Sequence, residues 1–257
     1  MSTTPKRLAF FGATGDTAGH ALAAALRANH PCTALARNAS KLQDSLASKG
    51  IDAATQSRLL TITQGDIRDP SAVQQTLTPT PDTIISGMGA TSIYLSPNPL
   101  APIAMHDASI CTDATRAILA AVSASAEGSK KKPLLIVVST TGIPSPGCPR
   151  DVPLLYLPLY KWLLHAPHAD KAVMETELRK EVSEGGEKRV RGVVDVKATL
   201  LTSGAGIGWE KVRFGSERKP ALGWTVARKD VGEWVFERVV RLGELGGGGW
   251  ECVTITN

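Results

Sequence analysis

The feature that most constrains this chain is a glycine-rich turn between a strand-like run and a helix-like run near its start. Arg7–Phe11 (RLAFF) is short, apolar and followed by Gly12, as a buried strand would be. Thr17–Ala28 carries alanine and leucine all round, as a helix laid on a sheet would. Between them stands Gly12-Ala13-Thr14-Gly15-Asp16-Thr17-Ala18-Gly19. Gly12 suits a tight turn, Gly15 lets backbone approach a diphosphate, and Ala18 or Gly19 keeps helix and strand close. Backbone N–H groups and the positive end of the helix dipole would then attract phosphate oxygens. Gly12, Thr14, Gly15, Asp16 and Thr17 are therefore candidate dinucleotide-binding residues, with the Asp16 carboxylate required to point away. The alternative is a tight turn that binds nothing.

The rest of the chain repeats the alternation. Further strands are expected at Cys32–Ala36, Leu59–Thr63, Thr83–Ser86, Leu134–Ser139, Gly192–Leu200, Trp224–Ala227 and Cys252–Thr256. Helices are expected at Ser40–Lys49, Ser71–Leu77, Asp107–Ser125 with Asp107 as N-cap, Ala169–Ser183 and Asp230–Arg241. Lys171/Glu175 and Glu175/Arg179 have the spacing of helix-face ion pairs. This pattern predicts an α/β fold of the Rossmann type, doubly wound, with a mainly parallel sheet and helices on both faces. A single domain over 1–257 is expected. Two proline-rich loops, 90–106 and 140–168, follow strands and so belong at the carboxyl edge of the sheet, where such folds bind ligands. Residues 203–257 are expected to form a small part covering the substrate.

The end of the second strand selects the cofactor. Sites for the non-phosphorylated dinucleotide place an acid there for the ribose diol. Here no acid lies between Cys32 and Lys41; Arg37 follows the strand and Lys41 comes four residues later. Arg37 suits a 2′-phosphate by charge and by its planar donor fork, which favours NADP(H). Asp66 and Ile67, after the third strand, are placed to flank adenine, and Gly87, Met88 and Gly89 to line the next stretch. The net charge of +5 comes from basic residues dispersed among acids, apart from the run Lys130–Lys132, so nucleic acid is not the expected partner. No apolar run is long enough to span a bilayer, and the start lacks the apolar core of a secretion signal. Cys32, Cys111, Cys148 and Cys252 have no metal-ligand spacing and read as reduced thiols of a cytoplasmic protein. The expected partner is a small-molecule substrate, and monomer and homodimer are both compatible with the sequence.

Several segments carry a family resemblance. GATGDTAG, ALAR, GDIRD and VVSTTG resemble atypical short-chain dehydrogenase/reductases, the NmrA-like NAD(P)-binding proteins above all. KAVMETEL, VVDVKATLLTSG and LGWTVARKDVG are similar to matching stretches of that group. DASICTDATRAIL and the closing VTIT resemble a fungal branch, some of whose members act in secondary-metabolite pathways. By that resemblance, Ser139 and Thr140 stand where a serine polarises a substrate carbonyl, and Ser139 also borders the cofactor. Lys171 resembles the lysine that binds the nicotinamide ribose and lowers a tyrosine's pKa. A strand-end hydroxyl and an ion pair to Glu175 are the plainer readings of these two positions.

The tyrosine expected four residues before that lysine is absent, and Pro167 occupies its place. The proton donor is then His168, three before Lys171, or Tyr156 or Tyr160 from the loop. Capping by His168 and packing by the tyrosines are the alternatives. Together with Thr91–Leu95 and Trp209, Tyr156–Tyr160 would shape a substrate pocket. The resemblance implies an NADP(H)-dependent oxidoreductase acting on a small apolar molecule, polyketide-derived or quinone-like. A redox-silent NADP(H)-binding regulator and a non-redox isomerase or cyclase on the same fold are the alternatives.

Overall fold

The computed structural model describes residues 4–89, 93–97, 102–125, 132–183 and 188–257. The chain opens with β1 (Leu8–Phe11), α1 (Asp16–Arg27), β2 (Cys32–Ala36), α2 (Ala39–Ser48), α3 (Ala53–Leu59), β3 (Leu60–Gln64), α4 (Pro70–Thr76) and β4 (Thr83–Ser86). A short hairpin follows, β5 (Ile93–Leu95) with β6 (Ile103–Met105), and then α5 (Ile110–Ser125) and β7 (Leu134–Thr140). Next come α6 (Leu157–Leu163), α7 (His165–Ser183), β8 (Gly192–Ala198), β9 (Leu200–Thr202) and β10 (Arg213–Ser216). The chain closes with β11 (Thr225–Ala227), α8 (Arg228–Trp234) running into a π-helical segment Val235–Arg241, and β12 (Gly249–Thr256).

Eight strands form one sheet in the order β10-β12-β8-β7-β4-β1-β2-β3. Every pairing is parallel except β10 with β12, so the fold is the expected doubly wound Rossmann type. The strand order reverses at β1, which lies between β2 and β4, and the crevice opened at such a switch point is where ligands bind. Apolar side chains fill both faces. Leu22, Leu42, Leu46 and Trp234 form one layer with α1, α2 and α8, and Val73, Ile118 and Leu178 form the other with α4, α5 and α7. A Cβ on Gly232 would lie 2.3 Å from the Thr17 carbonyl oxygen, so the glycine lets α8 seat directly on α1.

The structure corrects several sequence expectations. α3 stands where the sequence reading assigned no element: Asp52 caps it, its carboxylate accepting from the Thr55 N–H at 2.6 Å. Asp107 does not cap α5. The Asp170 carboxylate of α7 does so from across the fold, taking the Cys111 and Thr112 N–H groups at 2.8 and 3.0 Å. Loop 140–168 contains α6, and loop 90–106 contains the hairpin. Residues 203–257 are not simply a cover: they supply β10, β12 and α8, and so complete the sheet and one helix layer. Ala90, Thr91 and Lys130–Lys131 lie outside the described residues. Among the described residues no helix is long and apolar enough to cross a membrane.

Candidate functional site

The turns after β1, β2, β3 and β4 meet at one edge and enclose a cleft of about 430 Å³. Gly12 takes φ +76°, and a Cβ there would sit 2.9 Å from the Gly87 carbonyl group, so the turns after β1 and β4 touch only because Gly12 has no side chain. The Gly15 N–H donates to the Gly12 oxygen at 2.9 Å and closes the turn. Gly15 is the N-cap of α1, and no side chain caps its first amides, so they remain available to an anion in the cleft. Asp16 resolves its own difficulty by pairing with Lys49 at 3.3 Å. The residues present therefore fit a dinucleotide: open helix amides, a tight turn and a local acid already neutralised.

Most sequence candidates converge here. Gly12, Thr14, Gly15, Asp16, Thr17, Arg37, Asp66, Ile67, Gly87, Met88, Gly89 and Lys171 all line the cleft. Lys41 does not: it is exposed in the first turn of α2, where its N–H is taken by the Asn38 cap at 3.0 Å. The cleft also holds residues that the sequence did not mark for it, and four of these carry charge or come from distant segments. Arg68 forks between Asp107 and Asp113, both at 2.6 Å, and holds the Asp107 carboxyl below the usual range. Asp107 itself borders the cleft. Leu201 comes from β9, and Arg228 from the start of α8, its guanidinium on the Ser203 hydroxyl at 3.1 Å. The last two lie more than a hundred residues from the glycine turn, beyond any local pattern.

The catalytic candidates separate. Lys171 faces the cleft and donates to the Val138 carbonyl at 2.6 Å, so the expected pair with Glu175 is not formed. Ser139 is buried and does not line the cleft; its hydroxyl donates to Glu175 at 2.6 Å. Glu175 in turn holds the buried Lys197 ammonium at 2.9 Å. Burial pushes the Glu175 carboxyl up, against the pull of Lys197 and Ser139. Asp195, fully buried with no partner on either oxygen, is pushed up much further by burial and then by Glu175. The consistent assignment leaves the proton on Asp195, with Glu175 and Lys197 as the charged pair. Arg179, spaced for Glu175, instead pairs with Glu217.

His168 and Tyr160 belong to a second, more enclosed chamber of about 280 Å³ beneath the loop after β7. Their rings are 5.3 Å apart, and the Tyr160 hydroxyl meets that of Thr141 at 3.4 Å. Burial raises the Tyr160 phenol, and burial with nearby Lys171 lowers His168 to about 4. Tyr156 stays outside the chamber, packed on Tyr160 and edge-on to Trp224. Trp209 packs against the core and lines neither cavity, and Tyr94 rests on His106. A further hollow, about 900 Å³, is an open groove between α2, α3 and β3 and holds none of these candidates.

Comparison with known proteins agrees with this geometry. A family model described as NAD(P)H-binding matches residues 12–240. A reductase of Aspergillus terreus, pytE, is 40% identical over the whole of both chains. An oxidase of Aspergillus niger, pynE, is 39% identical over 97% of this chain and 98% of its own. A wide-type short-chain dehydrogenase/reductase from Veillonella parvula, solved with NADP, superposes with a TM-score of 0.68 over 99% of this chain and 95% of its own, at 14% identity.

Proposed function

The chain belongs to the NAD(P)H-binding family, and from that premise we propose that it is an NADP(H)-dependent oxidoreductase acting on a small apolar, polyketide-derived or quinone-like molecule in the cytoplasm. The observation that carries the cofactor choice is the cleft wall at the end of β2. Arg37 stands where a diol-binding acid would be. The acids nearby are engaged: Asp66 accepts from the Arg68 N–H at 3.0 Å, and Asp107 is held by the Arg68 guanidinium. Arg37, which has no hydrogen bond or ion pair among the described residues, is thus left to meet a 2′-phosphate.

Bound NADPH would supply a hydride. Met88, Ile110, Val138, Pro167 and Leu201 give the cleft an apolar part of its lining, and Lys171, fixed on the Val138 carbonyl, would hold a ribose hydroxyl. Pro167 has no proton to give, and Ser139 is turned to Glu175. The chain therefore suits an acceptor that spreads negative charge over a conjugated system and takes its proton from solvent. That is the behaviour of a quinone or extended enone rather than a simple ketone. The same observation favours a second reading, a redox-silent NADP(H)-binding regulator.

Calorimetric titration with NADPH and NADH tests the cofactor assignment. Wild-type protein is expected to prefer NADPH, and Arg37→Glu to lose about tenfold or more in NADPH affinity with NADH little changed. Equal loss of both dinucleotides overturns the assignment. Consumption of NADPH with menadione supports the oxidoreductase, and tight binding without consumption of NADPH across a panel of quinones and enones supports the regulator.

A further inference from the structure

The enclosed chamber shares no lining residue with the cofactor cleft, yet the two are separated by a single turn of helix. Pro167 and Lys171 of α7 face the cleft, and His168 between them faces the chamber. The chamber's own wall is closely packed: a Cβ on Gly142 would fall 2.4 Å from the Tyr160 ring and 3.2 Å from that of His168. The roof is pinned as well. Asp151 accepts from the Gly142 N–H at 3.0 Å, and Arg150 donates to the Val152 carbonyl at 2.6 Å.

Two features of this chamber call for a ligand. The first is Lys197, a lysine in the middle of a sheet and 1% exposed. Burying an ammonium is costly, and an apolar residue of similar size would generally serve the fold as well or better. Its head reaches the chamber with three contacts: Glu175 at 2.9 Å, the Ile143 carbonyl at 3.0 Å and the Ser145 hydroxyl at 3.3 Å. The Ser145 contact is the longest, and Arg179 also donates to that hydroxyl, so a ligand oxygen can replace it at little loss. The second feature is the Nε2 atom of His168, buried and without any hydrogen-bond partner. Buried polar atoms are nearly always satisfied, so an orphan beside a cavity marks where a partner belongs.

We propose that the chamber is a recognition site for the oxygenated end of the substrate, a neutral hydroxy-substituted aromatic or enolic ketone, with Lys197 donating to one oxygen and His168 Nε2 bonding the other. This rests on the oxidoreductase reading and gives its substrate class. Neutrality follows from the charges in and behind the chamber wall, because Lys197 is matched by Glu175, Glu217 by Arg179, and the lining carries one further residue of each sign, Arg150 and Asp151. An apolar ring is favoured by Ile143, Val152, Leu157 and the Tyr160 face. A volume near 280 Å³ sits at the lower end of small-molecule sites and suits one or two rings.

The test uses 3′- and 4′-hydroxyacetophenone as probes, titrated calorimetrically into the full chain, with NADPH titrated separately into the same samples. Saturable binding of at least one probe to the wild-type protein is expected. His168→Phe keeps the ring against Tyr160 and removes only the nitrogens, and should weaken that probe about three- to tenfold. Cys148→Trp, at a partly exposed lining position, should fill the chamber and abolish probe binding. Both variants should keep NADPH affinity within about twofold of wild type, with unchanged circular dichroism. Failure of both probes to bind the wild-type protein overturns the inference, as does equal binding to Cys148→Trp. Probe binding without NADPH binding would instead overturn the oxidoreductase reading and leave the chamber standing.

Discussion

The cleft and the chamber lie on either side of one helix turn and are built on opposite principles. The cleft is made of backbone: glycine turns at the carboxyl ends of β1 and β4, open amides at the start of α1, and short turns after β2 and β3. The chamber is instead held by side-chain contacts between distant elements, in its lining and directly behind it. Ser139 meets Glu175 across 36 residues, Lys197 meets the Ile143 carbonyl across 54, and Arg179 meets Glu217 across 38. A backbone site tolerates many side chains, provided that nothing occupies the turn. A side-chain site fails when one partner of a buried pair is lost, and that asymmetry sets how each should respond to substitution.

The largest effect is expected in the chamber floor. Glu175→Ala leaves the Lys197 ammonium buried without its partner, and breaking such a pair costs about 3 kcal/mol or more. Asp195 limits the loss, because with Glu175 gone it can release its proton and face Lys197 itself. Urea unfolding should show the drop, and the double variant Glu175→Ala, Asp195→Asn should fall further. A double variant no less stable than the single one would remove Asp195 from the network. In the cleft, Gly15→Val should do the reverse and leave stability nearly intact. The Gly15 backbone is ordinary, and an added Cβ meets only the Gly12 oxygen at 3.2 Å. The new side chain would stand where a diphosphate must approach, so NADPH affinity should drop about 100-fold or more. Retained affinity would show that the α1 amides are not the phosphate site.

These contrasts also explain what could be read from the sequence. Sheet, helix layers and cleft follow from local signals: apolar runs with strand length, glycines at strand ends, and Arg37 in place of an acid. Each signal spans fewer than ten residues and survives without knowledge of tertiary contacts. The misreadings arose where a local signal had a distant competitor. Lys171 and Glu175 have ion-pair spacing, but Lys171 finds a strand carbonyl and Glu175 finds Lys197. Asp107 sits where a cap belongs, but Arg68 takes it, and Asp170 caps α5 from α7. Lys197 and Asp195 stand in the strand segment VVDVKA, and only the tertiary fold brings Glu175 of α7 to Lys197. The short α3 carried a readable cap in Asp52, and that signal was available but unused.

A smaller effect should distinguish the chamber by pH. His168 has a native pKa near 4, against about 6.5 in an unfolded chain, so between these values the unfolded state binds a proton that the native state refuses. Stability should therefore be full above about pH 6.5, decline as pH falls towards 4, and level off below, by up to about 3 kcal/mol. His168→Phe should flatten that part of the profile. An unchanged slope would mean that the imidazole is not buried in its neutral form.

The smallest effect is the most informative about the cleft, because it concerns the one wall contributed by the C-terminal segment. Asp230, fully buried, accepts from the Ile207 and Gly208 N–H groups at 2.8 and 3.1 Å and so ties the Ser203–Gly208 loop to the first turn of α8. That tie sets Arg228, steadied by Ser203, at the cleft beside the glycine turn, and α8 is seated there by the close approach of Gly232 to Thr17. A guanidinium in this position meets a diphosphate, which NADPH and NADH share, rather than the 2′-phosphate that distinguishes them. Arg228→Ala should therefore weaken both dinucleotides equally, about three- to tenfold, whereas Arg37→Glu should weaken only NADPH. Equal response to the two substitutions would mean that both arginines act as diffuse charge and neither reads a particular phosphate. A selective loss of NADPH in Arg228→Ala would move the 2′-phosphate to the α8 side and reverse the direction in which the cofactor lies along the cleft.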